Sequence, residues 1–402
     1  MLTLEQIKIA HEALKGVIHR TNMPLSRTFS NKLGSQIYLK MENQQKTGAF
    51  KIRGAFYKVS RLSEADKKKG IVAVSAGNHS QGVALAAQHF GIPASIVMPE
   101  CAALAKIIAT ESYGAKVILK GKSIEEAMAV GKELAAQGMT FIHPFDDNDV
   151  IAGQGTIGIE MLQDVPDLDA IVVPIGGGGL ISGIATAAKA INPNIKIIGV
   201  EAEDYNAVKL SVEKGENLCI YSNEYTIADG IAVGKCGNNT YEIISNLVDE
   251  ILVVSDDEVS TAIFWLLERA KNVVEGAGAV GIAALLANKI HMPNKKIAVV
   301  LSGGNIDLSI LQSIIDRGLV REGRRIAFNL LMKDKPGQLK GVTDILSSMS
   351  ANIYSIQHDR VKDGIRHGYV NVSFVLQTKD NLHTERIFEK LRFEGFEVIS
   401  HS

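Results

Sequence analysis

Ile71-Val72-Ala73-Val74-Ser75-Ala76-Gly77-Asn78-His79 decides the fold. Four apolar residues make a short buried strand, a polar turn follows, and the alanine-rich run from Ser80 to Phe90 has helical spacing. The same beat returns at once. Pro93 to Pro99 precedes a helix from Leu104 to Tyr113, and Lys116 to Leu119 precedes one from Ser123 to Gln137. Strands alternating with helices at this spacing predict a parallel sheet with right-handed crossovers. Such sheets bind ligands at the carboxyl ends of their strands, which is where Ser75 to His79 lie.

Upstream, residues 4 to 18 predict an amphipathic helix, and the alternation from Gln36 to Glu42 predicts a strand. That strand runs into Thr47-Gly48-Ala49-Phe50-Lys51-Ile52-Arg53-Gly54-Ala55, where Lys51 sits between two large apolar residues at the opening turn of a helix. Desolvation by Phe50 and Ile52 and the positive end of the helix dipole both disfavour the ammonium, as imine chemistry with a carbonyl requires. Taken alone, the window also fits the commoner case of a lysine whose stem packs while its head reaches solvent.

Downstream, Phe141 to Pro144, a helix near 153 to 163 and the apolar strand Ala170 to Ile175 begin a second series. The strand enters Gly176-Gly177-Gly178-Gly179; a helix from Leu180 to Ala190, a strand from Lys196 to Glu201 and the stretch Ile297 to Asn305 complete it. Two series predict two parallel sheets packed as two lobes. Glycines between a strand and a helix let backbone amides approach an anion at a positive helix end, so phosphate is the natural guest, a ligand-free tight turn being the alternative. A dinucleotide is the rival ligand, because Glu201 lies 22 residues beyond Gly179. Its fingerprint needs a further glycine where this chain has Ile181 or Ser182. Gly121-Lys122-Ser123 lacks the first glycine of a nucleotide P-loop and reads as a helix cap. In Ser75 to His79 the amides and Asn78 suit a carboxylate or a ring oxygen; a cap by Ser75 or Asn78 is the other reading. Ser302-Gly303-Gly304-Asn305 repeats that layout.

From Asp316 to Arg325 the chain turns charged and loop-like. A strand from Arg325 to Met332, a turn from Lys333 to Gln338, a helix from Leu339 to Met349, a hairpin of Ile353 to Arg360 with His367 to Gln377 about Asp363-Gly364, a helix near 382 to 392 and a strand from Glu394 to Ser400 predict a separate βαββαβ domain.

At 402 residues the chain exceeds one ordinary core. With 43 Lys and Arg against 44 Asp and Glu, it carries no footprint for nucleic acid or an anionic membrane, so small molecules or copies of itself are the expected partners. Cys101, Cys219 and Cys236 are odd in number and far apart, which suits a reducing cytoplasm. The amino-terminal stretch lacks the layout of a signal peptide, and no apolar run approaches the ~18 residues of a membrane span.

The ordered set Ala49-Phe50-Lys51-x-Arg53-Gly54-Ala55, Ser75-x-Gly77-Asn78-His79, the tetraglycine loop and Ser302-Gly303-Gly304-Asn305 resembles the fold type II pyridoxal-phosphate enzymes of the threonine and serine dehydratase group. The resemblance spans about residues 5 to 320 and implies a two-lobed α/β unit like the β subunit of tryptophan synthase, at residues 1–320, with a small lobe at about 45–140 inserted in the large one. The tail, 325–402, resembles an ACT domain, a ferredoxin-like α+β module that binds amino acids, and its Asp334-x-Pro336-Gly337-x-Leu339 turn fits that module's ligand loop. The layout resembles threonine ammonia-lyases, also called threonine dehydratases. It implies that Lys51 holds pyridoxal 5'-phosphate as an imine and later takes the α-proton, and that Phe50 packs on the ring. Asn78 would bond the ring 3-oxygen, the amides of Gly176, Gly177, Gly178, Gly179 and Leu180 would hold the phosphate, and Ser302 would bond the pyridine nitrogen. Ser75, Ala76, Gly77, Asn78 and His79 would receive the substrate carboxylate. The cofactor phosphate would protonate the leaving hydroxyl.

The same resemblance implies β-elimination of L-threonine to 2-oxobutanoate and ammonia, an L-serine side activity, a homo-oligomer (dimer or tetramer) and an amino-acid effector, isoleucine or valine, if the role is isoleucine biosynthesis. L-Serine ammonia-lyase and serine racemase are the alternatives, and an NAD-dependent dehydrogenase is a remote one. Serine racemases carry a second serine immediately before Gly-Asn-His, where this chain has Ala76. Those enzymes also hold a divalent cation between two acids, of which Glu201 matches the first while the second position is Ala207, so no metal is expected.

Overall fold

The structure is a computed structural model that describes residues 2–222, 224–360 and 365–400. It divides into two units, residues 1–307 and 308–402. In the first unit the strands are β1 (Gln36–Lys40), β2 (Ile71–Val74), β3 (Ala94–Met98), β4 (Lys116–Leu119), β5 (Thr140–Phe141), β6 (Ala170–Pro174), β7 (Lys196–Ala202), β8 (Glu250–Val254) and β9 (Lys296–Val300). They form two sheets in the orders β1-β9-β6-β7-β8 and β4-β3-β2-β5, and every pairing is parallel. All of β2 and all of β6 are buried, as parallel strands covered by helices on both faces must be. The helix Gly276–Leu286 is apolar all round because it is buried all round, Leu286 at its end being the one residue not fully buried.

Two cores result. One gathers Ile52, Phe56, Ile71, Val83 and Ile96 around the smaller sheet, and the other gathers Ile171, Val173, Ile181, Ile184 and Ile197 under the larger. The helix Lys51–Ser60 is pinned by Arg53, which is fully buried with Lys40, Glu42 and Glu160. The carboxyl ends of β2, β6 and β9 bring Ser75, Gly176 and Ser302 to the loops that follow them.

The second unit holds β10 (Arg325–Lys333), β11 (Asn352–Asp359), β12 (Tyr369–Gln377) and β13 (Glu397–Ser400) in the antiparallel order β11-β12-β10-β13, with helices Gln338–Ser348 and Asn381–Phe393. This is the expected βαββαβ order. Phe328, Leu330, Phe374, Val342 and Leu391 make its core, and the rings of Phe328 and Phe374 stack at 5.5 Å.

Three features depart from the sequence reading. The strand near Phe141 joins the smaller sheet, because Thr140 pairs with Ile71 at the free edge of β2, so it closes the first series instead of opening the second. Residues 308–321, expected to end in a charged loop, form the helix Leu308–Arg321, whose arginines lie on a solvated face while Ile314 is buried. Between Glu201 and Ile297, β8 and the helices Ala207–Lys214, Asn238–Leu247, Asp256–Glu268 and Gly276–Leu286 were not anticipated. The hairpin turn at Asp363-Gly364 lies outside the described residues. Among the described residues no helix is long and apolar enough to cross a membrane.

Candidate active site

The loop carrying Lys51 is stitched to the loop after β9. The amide of Phe50 donates to the carbonyl of Ser302 at 3.1 Å, Ala49 bridges Gly303, and the amide of Gly304 donates to the carbonyl of Gly48 at 2.9 Å. Side chains extend the seam. Asn305 Nδ2 donates to the Thr47 carbonyl and to Asn78 Oδ1, both at 2.8 Å, and Asn78 Nδ2 donates to Glu275 Oε1 at 2.6 Å. Lys51, Asn78 and Ser302, far apart in sequence, therefore belong to one connected cluster of loops.

Lys51 is the first residue of its helix, and its Nζ donates to the carbonyl of Pro144 at 3.0 Å and stands 5.2 Å from the centre of the Phe50 ring. Burial pushes its ammonium down to about 8 from an ordinary 10.5, with the Glu275 carboxylate pulling the other way. The amine is thus free of its proton in a useful fraction near neutral pH, as a nucleophile or base requires.

The helix Gly179–Ile191 begins after Gly178, which has φ 89° and offers no side-chain cap. The amides of Gly179, Leu180 and Ile181 in its first turn have no acceptor within the helix and sit at its positive end, ready for an anion. Gly177 is required by close approach, since a Cβ there would lie 2.2 Å from the Phe145 ring. Gly176 is half-buried, and Leu180 is buried beneath the loop.

The turn after β2 is not the side-chain cap that was one of the two sequence readings. The helix Asn78–Phe90 starts at Gly77 without a side-chain cap, and Ser75 Oγ accepts from the Gly77 amide at 3.1 Å, shaping the loop itself. Ala76, Gly77 and Asn78 are half-buried. His79 is buried, and its Nε2 donates to the carbonyl of Ile142 at 2.9 Å. Burial, reinforced by the charge on Lys51, pushes this imidazole down to about 3, so the ring is neutral. Ser302 is 3 % exposed at the end of β9.

Sequence reasoning missed Glu275 and gave Asn305 no role. Burial pushes the Glu275 carboxyl up to about 7, Asp229 adds to the rise, and the hydrogen bond from Asn78 opposes it. An acid immediately before the apolar run Gly276 to Leu286 is a helix-start signal that marks the residue but not its partner. Glu201 turns both oxygens to the amides of Val208 (3.0 Å) and Lys209 (2.8 Å), so it caps the first turn of Ala207–Lys214.

A model of the family described as pyridoxal-phosphate dependent enzyme matches residues 14–303. The L-threonine ammonia-lyase of Thermotoga maritima is 48 % identical over 399 residues, covering 99 % of both chains. Among solved structures, the processed form of threonine deaminase isoform 2 from Solanum lycopersicum has a TM-score of 0.74 at 39 % identity, over 78 % of this chain and 87 % of that one. Maize serine racemase has a TM-score of 0.75 at 37 % identity, over 80 % of this chain and 99 % of that one.

Proposed function

The chain belongs to the pyridoxal-phosphate dependent enzymes, and from that premise we propose that it is an L-threonine ammonia-lyase converting L-threonine to 2-oxobutanoate and ammonia. The single observation that carries the chemistry is Lys51, held at the cluster of loops with its ammonium pushed down to about 8. The residues present fit pyridoxal 5'-phosphate. The uncapped helix start at Gly178 suits a phosphate, and Asn78 and Ser302 offer polar atoms to a ring.

When bound, the cofactor supplies the electron sink that makes the α-proton of the amino acid acidic. Lys51 accepts that proton at Nζ. The amides from Gly176 to Leu180 would hold the phosphate, and Phe50 would pack beside the ring. Ser302 would bring a neutral hydroxyl to the pyridine nitrogen where a carboxylate would fix a proton, which would favour loss of the β-hydroxyl over transamination. The substrate carboxylate is received by the amides of the Ser75 to Asn78 turn, with neutral His79 packed behind it against Ile142. Loss of water from threonine leaves 2-aminobut-2-enoate, which tautomerises and takes water back to release 2-oxobutanoate and ammonia. Ala76 offers no hydroxyl to the opposite face of the substrate, so elimination is favoured over racemisation. L-Serine reacts by the same steps to pyruvate; the missing methyl group is worth ~1 to 3 kcal/mol in a shaped pocket.

The second unit is read as an ACT domain that makes a cytoplasmic homo-oligomer responsive to an amino acid. A cavity of about 300 Å³ lies beside Gly337, lined by Lys335, His358 and Arg360 among others. Gly337, with φ 88°, opens the helix Gln338–Ser348 without a side-chain cap, so its first amides suit a carboxylate, with Lys335 and Arg360 beside them, the latter paired with Asp334 at 2.8 Å. Isoleucine or valine is the proposed effector, in an isoleucine-forming role. The test is a threonine saturation curve with and without each, run on the full chain and on Arg360→Ala. Coupling of 1 to 3 kcal/mol, or roughly 5- to 150-fold in apparent affinity, is expected in the full chain and lost in the variant. Equal responses in both would leave the unit without the effector role.

A further inference from the structure

We propose that Asn305 and Glu275 are positioning residues that fix the amide of Asn78 in one orientation and leave it a single N–H for the cofactor's ring oxygen. The inference rests on the assignment of Asn78 to that oxygen. Thr47 is a non-glycine residue held at φ 62°, a left-handed backbone that surrounding structure must impose. Its carbonyl can only accept, so the group of Asn305 that stands 2.8 Å away is the NH2. The second hydrogen of that NH2 reaches Asn78 Oδ1 at 2.8 Å. The oxygen of Asn78 therefore faces Asn305, and its own NH2 faces Glu275 Oε1 at 2.6 Å.

Both ends of this chain are anchored. The Glu275 amide donates to the carbonyl of Gly303 at 3.0 Å, and its carboxyl fills the space beside that residue, where a Cβ on Gly303 would lie 2.1 Å from Oε1. Turning the Asn78 amide over would set NH2 against NH2 at Asn305 and oxygen against oxygen at Glu275, losing two hydrogen bonds at once. With one N–H of Asn78 committed to Glu275, the other is left for a ring oxygen, aimed before the cofactor arrives.

The experiment is a double-mutant cycle on the full-length, cofactor-loaded protein, read by the wavelength of its visible absorbance band and by the cofactor dissociation constant. Asn78→Ala and Asn305→Ala are each expected to shift the band and to weaken binding about tenfold, the worth of one or two hydrogen bonds. Asn78→Ala with Asn305→Ala should bind no more weakly than Asn78→Ala alone, because Asn305 acts through Asn78. Asn305→Asp, equal in shape but unable to donate, should reproduce the band shift, which covers the case in which the alanine variant fails to fold. Glu275→Gln keeps an acceptor for Asn78 and should leave the band in place, whereas Glu275→Leu should shift it. Additive losses in the double variant, or an unmoved band in Asn305→Asp, would overturn the positioning role. A band and affinity unchanged in Asn78→Ala would overturn the prior assignment of Asn78 instead.

Discussion

Replacing Arg53 with methionine tests how the Lys51 helix is held. The guanidinium donates to Glu42 from Nε and Nη2, both at 2.8 Å, and to Glu160 from Nη1 at 2.7 Å and Nη2 at 2.8 Å. Lys40 Nζ completes the set, donating to Glu160 at 2.6 Å and to the Thr21 carbonyl at 2.7 Å. Two cations and two carboxylates balance, and no side chain among them is more than 3 % exposed. Burial disfavours the charge on Arg53, but Glu42 and Glu160 outweigh it and hold the guanidinium above its ordinary value. Arg53→Met leaves one buried carboxylate unmatched, and removing one partner of a buried pair costs about 3 to 5 kcal/mol. In thermal unfolding of the cofactor-loaded protein this corresponds to a loss of roughly 5 to 8 °C for a unit of 307 residues. Adding Glu42→Gln restores the balance of Lys40 with Glu160, so the double variant should regain about 2 kcal/mol despite carrying two changes. A double variant no more stable than Arg53→Met would refute charge balance as the reason for the network.

Three further outcomes follow from the same geometry. Gly177→Ala drives a Cβ into the Phe145 ring at 2.2 Å, so cofactor affinity should fall at least about tenfold, with partial recovery when Phe145→Ala is added; unchanged affinity would remove the glycine's role. In the apoprotein, amine-selective labelling of Lys51 should rise with a midpoint near pH 8, and at pH 7 its neutral fraction should exceed that of a lysine at 10.5 by about 300-fold; a midpoint at 10 or above would contradict the burial argument. Because the unfolded chain keeps that proton up to 10.5, Lys51 should make apoprotein stability rise from pH 8 towards 10.5, an increment absent from Lys51→Ala when the two unfolding curves are compared.

Ile71 to Val74 was read to the residue because burial on both faces leaves a continuous apolar run, and the half-exposed edge strand Lys116 to Leu119 from its place in the strand–helix rhythm, whereas the less buried β8 was missed. The glycine turn before Gly179 and the start of the Lys51 helix were legible because both lie in short local patterns of distinctive residue types. Glu275 was not, because its meaning lies in Asn78, 197 residues away, and no local pattern encodes that pairing. Likewise Thr140 and Phe141 carry too short a strand to announce which sheet edge they join. The helix Leu308–Arg321 hid behind its charged, solvated face.

The most direct measurement is the product formed from L-threonine by the cofactor-loaded full-length protein, with Lys51→Ala alongside it. The parent protein should give 2-oxobutanoate and ammonia in equal amounts, and pyruvate from L-serine in excess of any D-serine, while the variant should give neither oxo acid. Undiminished turnover in Lys51→Ala, or D-serine accumulating faster than pyruvate, would contradict this chemistry.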